Sequence, residues 1–241
     1  SNPPTANFVG TPTTICPGST VNFTDLSGFS PTSWNWSFPG GTPSTSTLQN
    51  PTVVYNTAGS YNVSLTATNS NGSNSITKTA YINVSGPQAL PLVEGFEEAS
   101  FPPTNWGLNP YPYQWAQNTT VGHNSSQCAE FDNLDTNSIG TLSYMLTPKY
   151  NFSSVATAKL FFDVAYAPYD KYYSDTLAVY VSTDCGQTFA KVYSKGGLTL
   201  GTFGGYDSTS YDIPTNTQWR TDTVSLNANA GQGYVLDKFE N

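Results

Sequence analysis

Hydrophobic and polar positions alternate most clearly in residues 34–41, which read Trp-Asn-Trp-Ser-Phe-Pro-Gly-Gly. Because the side chains of a strand alternate between its two faces, Trp34, Trp36 and Phe38 would all lie on one face. Three large rings on one face need a second sheet to cover them. The Pro-Gly-Gly that follows favours a turn. The stretch therefore predicts the centre of a β-sandwich core.

The same alternation runs through the first third of the chain. Val21 and Phe23 alternate with polar neighbours, and so do the apolar residues of the segment 61–67. An Asn-Gly pair at 71–72 favours a tight hairpin, since both residues tolerate positive φ. About seven short strands separated by turns predict an immunoglobulin-like β-sandwich over residues 1–86.

Residues 87–91, Pro-Gln-Ala-Leu-Pro, predict a short linker, and residues 92–241 predict a second domain. No segment shows a helical period of useful length, so the fold class is all-β. The strands expected in the second domain lie at 127–131, 141–146, 159–166, 176–182, 191–193, 220–226 and 234–239.

The first domain resembles the PKD (polycystic kidney disease) family. The residues that carry the resemblance are Trp-Ser-Phe-Pro-Gly-Gly at 36–41, Asn-Pro-Thr-Val-Val-Tyr at 50–55, and the segment 58–69. The family often has Asp where this chain has Ser37 and Gly40. The resemblance implies an immunoglobulin-like domain of a large secreted bacterial protein.

The second domain resembles the choice-of-anchor J jelly rolls, which are related to MAM-like domains and to the cleaved adhesin domains of gingipains. Its matching residues include Glu-Gly-Phe-Glu at 94–97, the segments 101–106 and 160–166, and the segment 175–186. The resemblance implies a jelly-roll β-sandwich in a protein exported by type IX secretion. Such modules usually continue past Asn241, so the jelly roll is expected to lack its last strand.

Charge is sparse and unevenly placed. Only 10% of the residues are charged, and the net charge is −8. Residues 1–86 hold one acid, Asp25, and one base, Lys78. An acidic chain without a basic cluster argues against nucleic acid, and no apolar run is long enough to predict membrane insertion. The composition is typical of a secreted or cell-surface β protein.

Three cysteines are present, Cys16, Cys128 and Cys185. The odd number leaves at least one thiol unpaired or paired outside the chain. Cys128 and Cys185 belong to the same predicted domain, and the sequence leaves open whether they pair.

The sequence predicts no enzyme. His123 is the only histidine, so the His-Glu-x-x-His pattern of zinc proteases is absent, and His123 reads as a plain loop residue. No Gly-x-Ser-x-Gly elbow positions a serine nucleophile. Paired carboxylates for glycoside hydrolysis remain possible, but no motif positions them.

A structural Ca²⁺ ion is the metal that the sequence favours. Glu97, Asp132, Asn133 and Asp163 offer oxygen ligands at strand ends or beside turns, and hard cations prefer such ligands. Resemblance to related jelly rolls implies that Glu97 is a ligand. The alternative is that these acids accept hydrogen bonds from loop amides.

The aromatic loop at 166–173 is the best candidate for ligand binding. Tyr169, Tyr172 and Tyr173, together with Trp115, offer rings for stacking on a sugar or a protein surface. The alternative, a loop folded over the edge of its own sandwich, is favoured because Tyr is common throughout this chain.

These observations predict a non-catalytic accessory or adhesion segment of a large secreted or cell-surface bacterial protein. Its partners would be an extracellular protein or glycan and other domains of the same polypeptide. Two alternatives are a carbohydrate-binding module and the C-terminal accessory region of a secreted pappalysin-like metalloprotease.

Overall fold

The computed structural model describes residues 2–109, 114–132, 140, 142–208 and 214–241. The chain divides into two compact units, Ser1–Gly86 (unit 1) and Pro87–Asn241 (unit 2). The regular structure described consists of β-strands and three short 3₁₀ helices, so the all-β prediction is confirmed. Within the described ranges, no helix is long and apolar enough to cross a membrane.

Unit 1 is built from two sheets. The strands are β1 (Phe8–Thr11), β2 (Thr14–Ile15), β3 (Ser19–Asp25), β4 (Ser33–Ser37), β5 (Gly41–Thr42), β6 (Thr45–Ser46), β7 (Thr52–Tyr55), β8 (Gly59–Asn69) and β9 (Gly72–Val84). One sheet has the order β1-β3-β7-β5 and the other β2-β9-β8-β4-β6. The β2–β9 pair is parallel. The short strands β5 and β6 each lie at an edge of their sheet.

The aromatic strand predicted from sequence is the centre of the unit 1 core. Trp36 and Phe38 are fully buried and stack on each other with ring centroids 5.6 Å apart. Phe8 and Phe23, from the facing sheet, complete the cluster around Trp36. The Trp36 indole N–H donates to the Leu48 carbonyl at 2.9 Å, so burial leaves no polar atom of this side chain unpaired.

The outer face of the β8–β9 hairpin is uncharged and carries paired hydroxyl groups. Ser64 bonds to Thr77 at 2.8 Å, and Thr66 bonds to Ser75 at 2.7 Å. A third pair, Thr68 and Ser73, repeats the arrangement. Each pair lies directly across the antiparallel register. Such cross-strand pairs stabilise a hairpin without any ionic group.

The single lysine of unit 1 is held in place by both charge and packing. Lys78 lies on β9, half-buried, and its ammonium donates to the Phe8 carbonyl at 2.5 Å. The same ammonium lies 4.6 Å from the centroid of the Phe8 ring and 5.0 Å from that of Tyr81. Its methylene stem therefore packs along the sheet while its charge contacts a carbonyl and two rings.

Unit 2 contains one larger sheet and two two-stranded ladders. The strands are β10 (Gly107–Leu108), β11 (Ala116–Asn118), β12 (Cys128–Glu130), β13 (Tyr144–Leu146), β14 (Lys159–Val164), β15 (Thr176–Ser182), β16 (Ala190–Gly196), β17 (Arg220–Ser225) and β18 (Leu236–Glu240). The 3₁₀ helices are Gly197–Thr199, Asn216–Gln218 and Asn227–Asn229. The larger sheet has the order β10-β13-β18-β15-β16, and the ladders are β11–β12 and β14–β17.

The β14–β17 ladder packs on the larger sheet. Phe162 of β14 meets Phe239 of β18 edge-on, with ring centroids 5.4 Å apart. Val224 of β17 and Val181 of β15 belong to one buried cluster. The inward residues alternate along β14, as period-two patterning requires. The packed ladder and sheet form a β-sandwich.

Three aspartates of unit 2 are fixed by burial or by hydrogen bonds. Asp237 on β18 is 1% exposed, and burial raises its pKa to about 6. The Tyr150 hydroxyl donates to its Oδ2 at 2.9 Å, whereas Oδ1 has no hydrogen-bond partner among the described residues. Asp184 accepts bonds from Thr188 and other residues of the turn after β15, which lower its pKa to about 2. Asp222 is paired with Arg220 and Lys195.

Cys128 on β12 carries a free thiol. The Cys128–Cys185 disulfide that the sequence left open is therefore not formed. Burial, together with the nearby Glu130 carboxylate, raises the pKa of the Cys128 thiol to about 11. The protonated thiol is a weak nucleophile.

Candidate binding groove

The aromatic loop after β14 is shaped by one aspartate. Asp170 accepts hydrogen bonds from the backbone N–H groups of Tyr172, at 2.6 Å, and Tyr173, at 2.8 Å. Such an Asx-type turn forms locally, because a short carboxylate side chain reaches the amides that follow it. The turn projects both rings outward, and Tyr172 is 76% exposed and Tyr173 61%.

A second loop, residues 197–208, packs beside the first. The Thr202 amide donates to the Tyr166 carbonyl at 2.8 Å, and the Asp207 amide donates to the Pro168 carbonyl at 3.0 Å. The Arg220 guanidinium donates to the carbonyls of residues 200 and 201, which fixes the base of this loop. The loop adds two exposed aromatic residues that sequence reasoning missed, Phe203 and Tyr206. Their signal in the sequence was an aromatic residue on either side of a Gly-Gly pair.

A large groove in unit 2, about 1410 Å³ in volume, gathers the predicted ligand-binding residues. Tyr169, Tyr172, Tyr173 and Trp115 all line it. Trp115 also packs against the core near Tyr166 and has its ring 5.9 Å from that of Phe131. The structure therefore brings together, in one concave surface, residues separated by more than fifty positions in the chain.

One wall of the groove is a stack of residues that the sequence did not single out as a site. The His123 ring lies parallel to Trp219, with centroids 5.7 Å apart. His123 Nδ1 lies 2.8 Å from Asp163 Oδ2, and Thr221 donates its hydroxyl to the other oxygen of Asp163. His123 thus lies in a loop, as the sequence predicts, and its ring forms part of the groove wall.

The groove is acidic. Among its described lining residues no lysine or arginine occurs, and the carboxylates are those of Glu94, Glu130, Asp132, Asp163, Asp175 and Asp207. Burial raises the pKa of Asp175 and also raises that of Tyr166 to about 12. Carboxylates and aromatic rings in one concave surface disfavour anions and favour cations or neutral polar molecules.

Three polar atoms in the groove wall lack a hydrogen-bond partner among the described residues. They are the indole nitrogens of Trp115 and Trp219 and the side-chain oxygen of Gln127. The first two are donors and the third is an acceptor. All three atoms are buried, and buried polar groups are seldom left unpaired.

The predicted calcium ligands do not form one cluster among the described residues. Glu97 accepts hydrogen bonds from the Ser126 amide and hydroxyl and from the Gln127 amide, which lower its pKa. Asp132 and Asp163 line the groove, whereas Glu97 does not. Asn133 lies outside the described residues. Within the described ranges, no three His, Cys, Asp or Glu side chains gather in a way that could hold a metal ion. The Glu97 contacts are those of the alternative interpretation, in which the acid accepts hydrogen bonds from loop amides. The calcium site stays a prediction.

The His123–Asp163 pair has the geometry of two members of a catalytic triad, so its remaining contact matters. His123 Nε2 faces the Asn124 side-chain amide at 3.3 Å. The neighbouring Ser125 donates its hydroxyl to the Gln127 carbonyl at 3.0 Å. A triad needs the serine hydroxyl on the histidine nitrogen, so these contacts do not form one.

Comparison with known proteins identifies the first unit only. The family model described as PKD domain matches residues 1–84, which confirms the resemblance seen in that part of the sequence. No curated protein sequence matches the chain. The relation of unit 2 to choice-of-anchor J modules and to type IX secretion stays a prediction.

Two solved structures are distantly similar. One concerns carbohydrate-binding modules of the β-sandwich superfamily, with 14% identity and a TM-score of 0.32, over 98% of this chain and 90% of that one. The other is the K2 cleaved adhesin domain of Lys-gingipain, with 16% identity and a TM-score of 0.41, over 61% of this chain and 94% of that one.

Proposed function

We propose that the chain is a non-catalytic binding segment of a secreted or cell-surface protein. Unit 1 would serve as a spacer, and unit 2 would hold an extracellular glycan or protein in its aromatic groove. The observation that carries the proposal is the convergence of Tyr169, Tyr172, Tyr173 and Trp115 on one groove. Exposed rings beside polar groups are what stacking on a sugar or a protein surface requires.

The location and the parent protein are part of the same proposal. A PKD-like unit with almost no charge suits an extracellular spacer. We propose a bacterial parent exported by type IX secretion, either an adhesin or a pappalysin-like metalloprotease with its catalytic domain elsewhere. The other domains of that polypeptide would then be further partners of this segment. A carbohydrate-binding module is the alternative within the same class, and it uses the same groove.

Binding by the aromatic loop is tested with a glycan array followed by titration calorimetry on the strongest ligand. Replacing Tyr172 and Tyr173 by Ala together should weaken binding about tenfold, because two stacking contacts are lost. Phe29→Ala is the control, since Phe29 is also an exposed ring, 57% accessible, but belongs to unit 1. Equal loss in both variants, or no loss in the double variant, would overturn the role of the loop.

A further inference from the structure

The charge of the groove narrows the class of ligand. We propose that it selects glycans whose sugar units carry free amino groups, that is, positively charged hexosamines. This inference rests on the proposed function, since it names the ligand of the same groove. The occupant is a rigid, hydroxylated ring that bears its cation directly on the ring.

The first observation is the one-sided charge of the wall. Carboxylates line the groove at several places, from Glu94 to Asp207, and no lysine or arginine lies among its described lining residues. A concave surface of one charge sign concentrates its field and attracts ions of the opposite sign. Uronic acid, sulfated or sialylated glycans would meet like charges, which disfavours them strongly.

The second observation is that aromatic faces of unit 2 already hold ammonium groups. The Lys171 ammonium lies 4.7 Å from the centroid of the Tyr172 ring, at the aromatic loop itself. The Lys238 ammonium lies 4.2 Å from the Tyr180 ring. These contacts show the geometry that an amino sugar would adopt on Tyr172, with its ammonium over the ring face.

The third observation favours a sugar over a lysine-rich peptide. The tyrosine rings at 169 and 173 stand almost perpendicular, at 81° with centroids 6.4 Å apart, so they offer flat surfaces in two directions. A pyranose presents a flat CH face for stacking on such a ring, and its hydroxyls can donate hydrogen bonds to the carboxylates that line the groove. A lysine side chain is flexible and has no flat face for stacking, so it loses more conformational entropy on binding and makes poorer contact with the rings.

Replacing Lys171 should change the affinity for an amino sugar in a predictable direction. Its ammonium occupies the Tyr172 face and repels an arriving cation. Lys171→Gln should therefore strengthen the binding of an amino-sugar oligomer. Lys191→Gln is the matched control. The Lys191 ammonium lies 5.4 Å from the centroid of the Tyr180 ring, and neither Lys191 nor Tyr180 lines the groove.

The experiment is titration calorimetry of the full chain with three β-1,4-linked oligosaccharides of equal length: glucosamine, N-acetylglucosamine and glucuronic acid. At about pH 5.5 the sugar amine is charged. In about 50 mM NaCl the glucosamine oligomer should bind about tenfold more tightly than the N-acetylated one, and the glucuronic acid oligomer should bind weakest. In about 500 mM NaCl the preference should shrink, since salt screens the charges.

Two variants that each remove one carboxylate test whether the preference for the charged sugar arises in the groove. Asp132→Asn removes a carboxylate that lines the groove, and Glu98→Gln removes one that does not. Both change the net charge equally. The first should weaken glucosamine binding about threefold and the second should leave it unchanged. Equal weakening by both variants would place the effect in the overall charge of the chain and overturn the groove as its source.

The remaining outcomes separate this inference from the proposed function. Equal or tighter binding of the glucuronic acid oligomer would overturn the charge selection while leaving a glycan-binding groove. Binding of a lysine-rich peptide of the same charge, without binding of any of the three oligosaccharides, would overturn the glycan as the occupant. If none of these ligands binds and the glycan array is also negative, the proposed function fails together with the inference.

Discussion

At the scale of single residues, one buried side chain in each unit has a measurable effect on stability, Trp36 in unit 1 and Asp237 in unit 2. Trp36 lies on an alternating aromatic strand, and its burial follows from period-two patterning alone. Asp237 occupies a similar position on β18, but nothing in the sequence indicates that a carboxylate there would be 1% exposed. Its burial depends on Tyr150, which is 87 positions away in the chain.

Trp36→Ala should destabilise unit 1 by about 3 to 5 kcal/mol, because it opens a cavity among large rings. Trp36→Phe keeps most of the volume and loses the bond to the Leu48 carbonyl, so it should cost about 1 kcal/mol from that bond. Denaturant unfolding of the full chain, followed by circular dichroism, measures both. Unchanged unfolding of the alanine variant would contradict the core assignment.

Asp237 predicts a pH dependence of unit 2. Its folded pKa, about 6, lies above its usual value of 3.8, so the folded state binds more protons between these values. Stability therefore falls as pH rises from about 4 to about 6, by up to about 3 kcal/mol. Burial also raises the pKa of Asp175, which acts in the same direction. Asp237→Asn should raise the melting temperature at pH 7 and flatten this dependence.

The control for Asp237 is an aspartate shifted the other way. Hydrogen bonds from Thr188 and its neighbours lower the pKa of Asp184 from 3.8 to about 2. Its contribution to stability is present above pH 4 and is lost below that value. Asp184→Asn should therefore lower the melting temperature at pH 7. Calorimetric scans between pH 3 and pH 8 measure both effects, and an equal loss of stability from pH 4 to pH 6 in the wild type and in Asp237→Asn would contradict the role of Asp237.

At the scale of elements, regular strands were found from the sequence and irregular segments were not. The predicted strand at 176–182 is β15, and the predicted segment at 220–226 contains β17. The short strands β10 and β11 were missed, because they lie in an irregular stretch rich in Pro, Asn and Tyr that shows no alternation. The sequence did not indicate that the loop 197–208 packs beside the aromatic loop 166–173. Its position depends on hydrogen bonds from Arg220 and on contacts with that loop, which is distant in the chain.

The contact between Glu97 and the loop before β12 is an element-scale prediction. Glu97→Gln should lower the melting temperature of unit 2, because an amide replaces a carboxylate that accepts three hydrogen bonds from residues 126 and 127. Since these bonds lower the pKa of Glu97, the contribution should be present at neutral pH and fade in acid. Melting curves at pH 7 and at about pH 3.5 measure the difference.

If the calcium prediction is right, the melting temperature of unit 2 should also depend on Ca²⁺, and Glu97→Gln should remove that dependence. If Glu97 also binds Ca²⁺, wild-type unit 2 should melt lower in EDTA than with added Ca²⁺, by mass action on the folded state. Glu97→Gln should abolish that difference. Identical melting of the wild type in both buffers would contradict the calcium prediction and leave the loop contact as the role of Glu97.

At the scale of the whole molecule, the two units differ in how they are stabilised. Unit 1 has one aromatic core, hydroxyl pairs and two charged residues. Unit 2 holds the other 15 acids and 7 bases, some in partly buried pairs such as Arg220 and Asp222. The step in composition near residue 90 was visible in the sequence. The groove was not visible, since it forms only when separate loops meet.

The near absence of charge in unit 1 also limits where trypsin-like proteases can cleave it. Trypsin-like enzymes cleave after lysine or arginine, and unit 1 offers them Lys78 alone. That bond lies inside β9, and the side chain is held by the Phe8 carbonyl and two rings, so cleavage there requires unfolding of the unit. On digestion of the full chain with trypsin, mass spectrometry should show an intact fragment spanning unit 1 long after unit 2 is cut. Rapid appearance of the peptide ending at Lys78 would contradict this expectation.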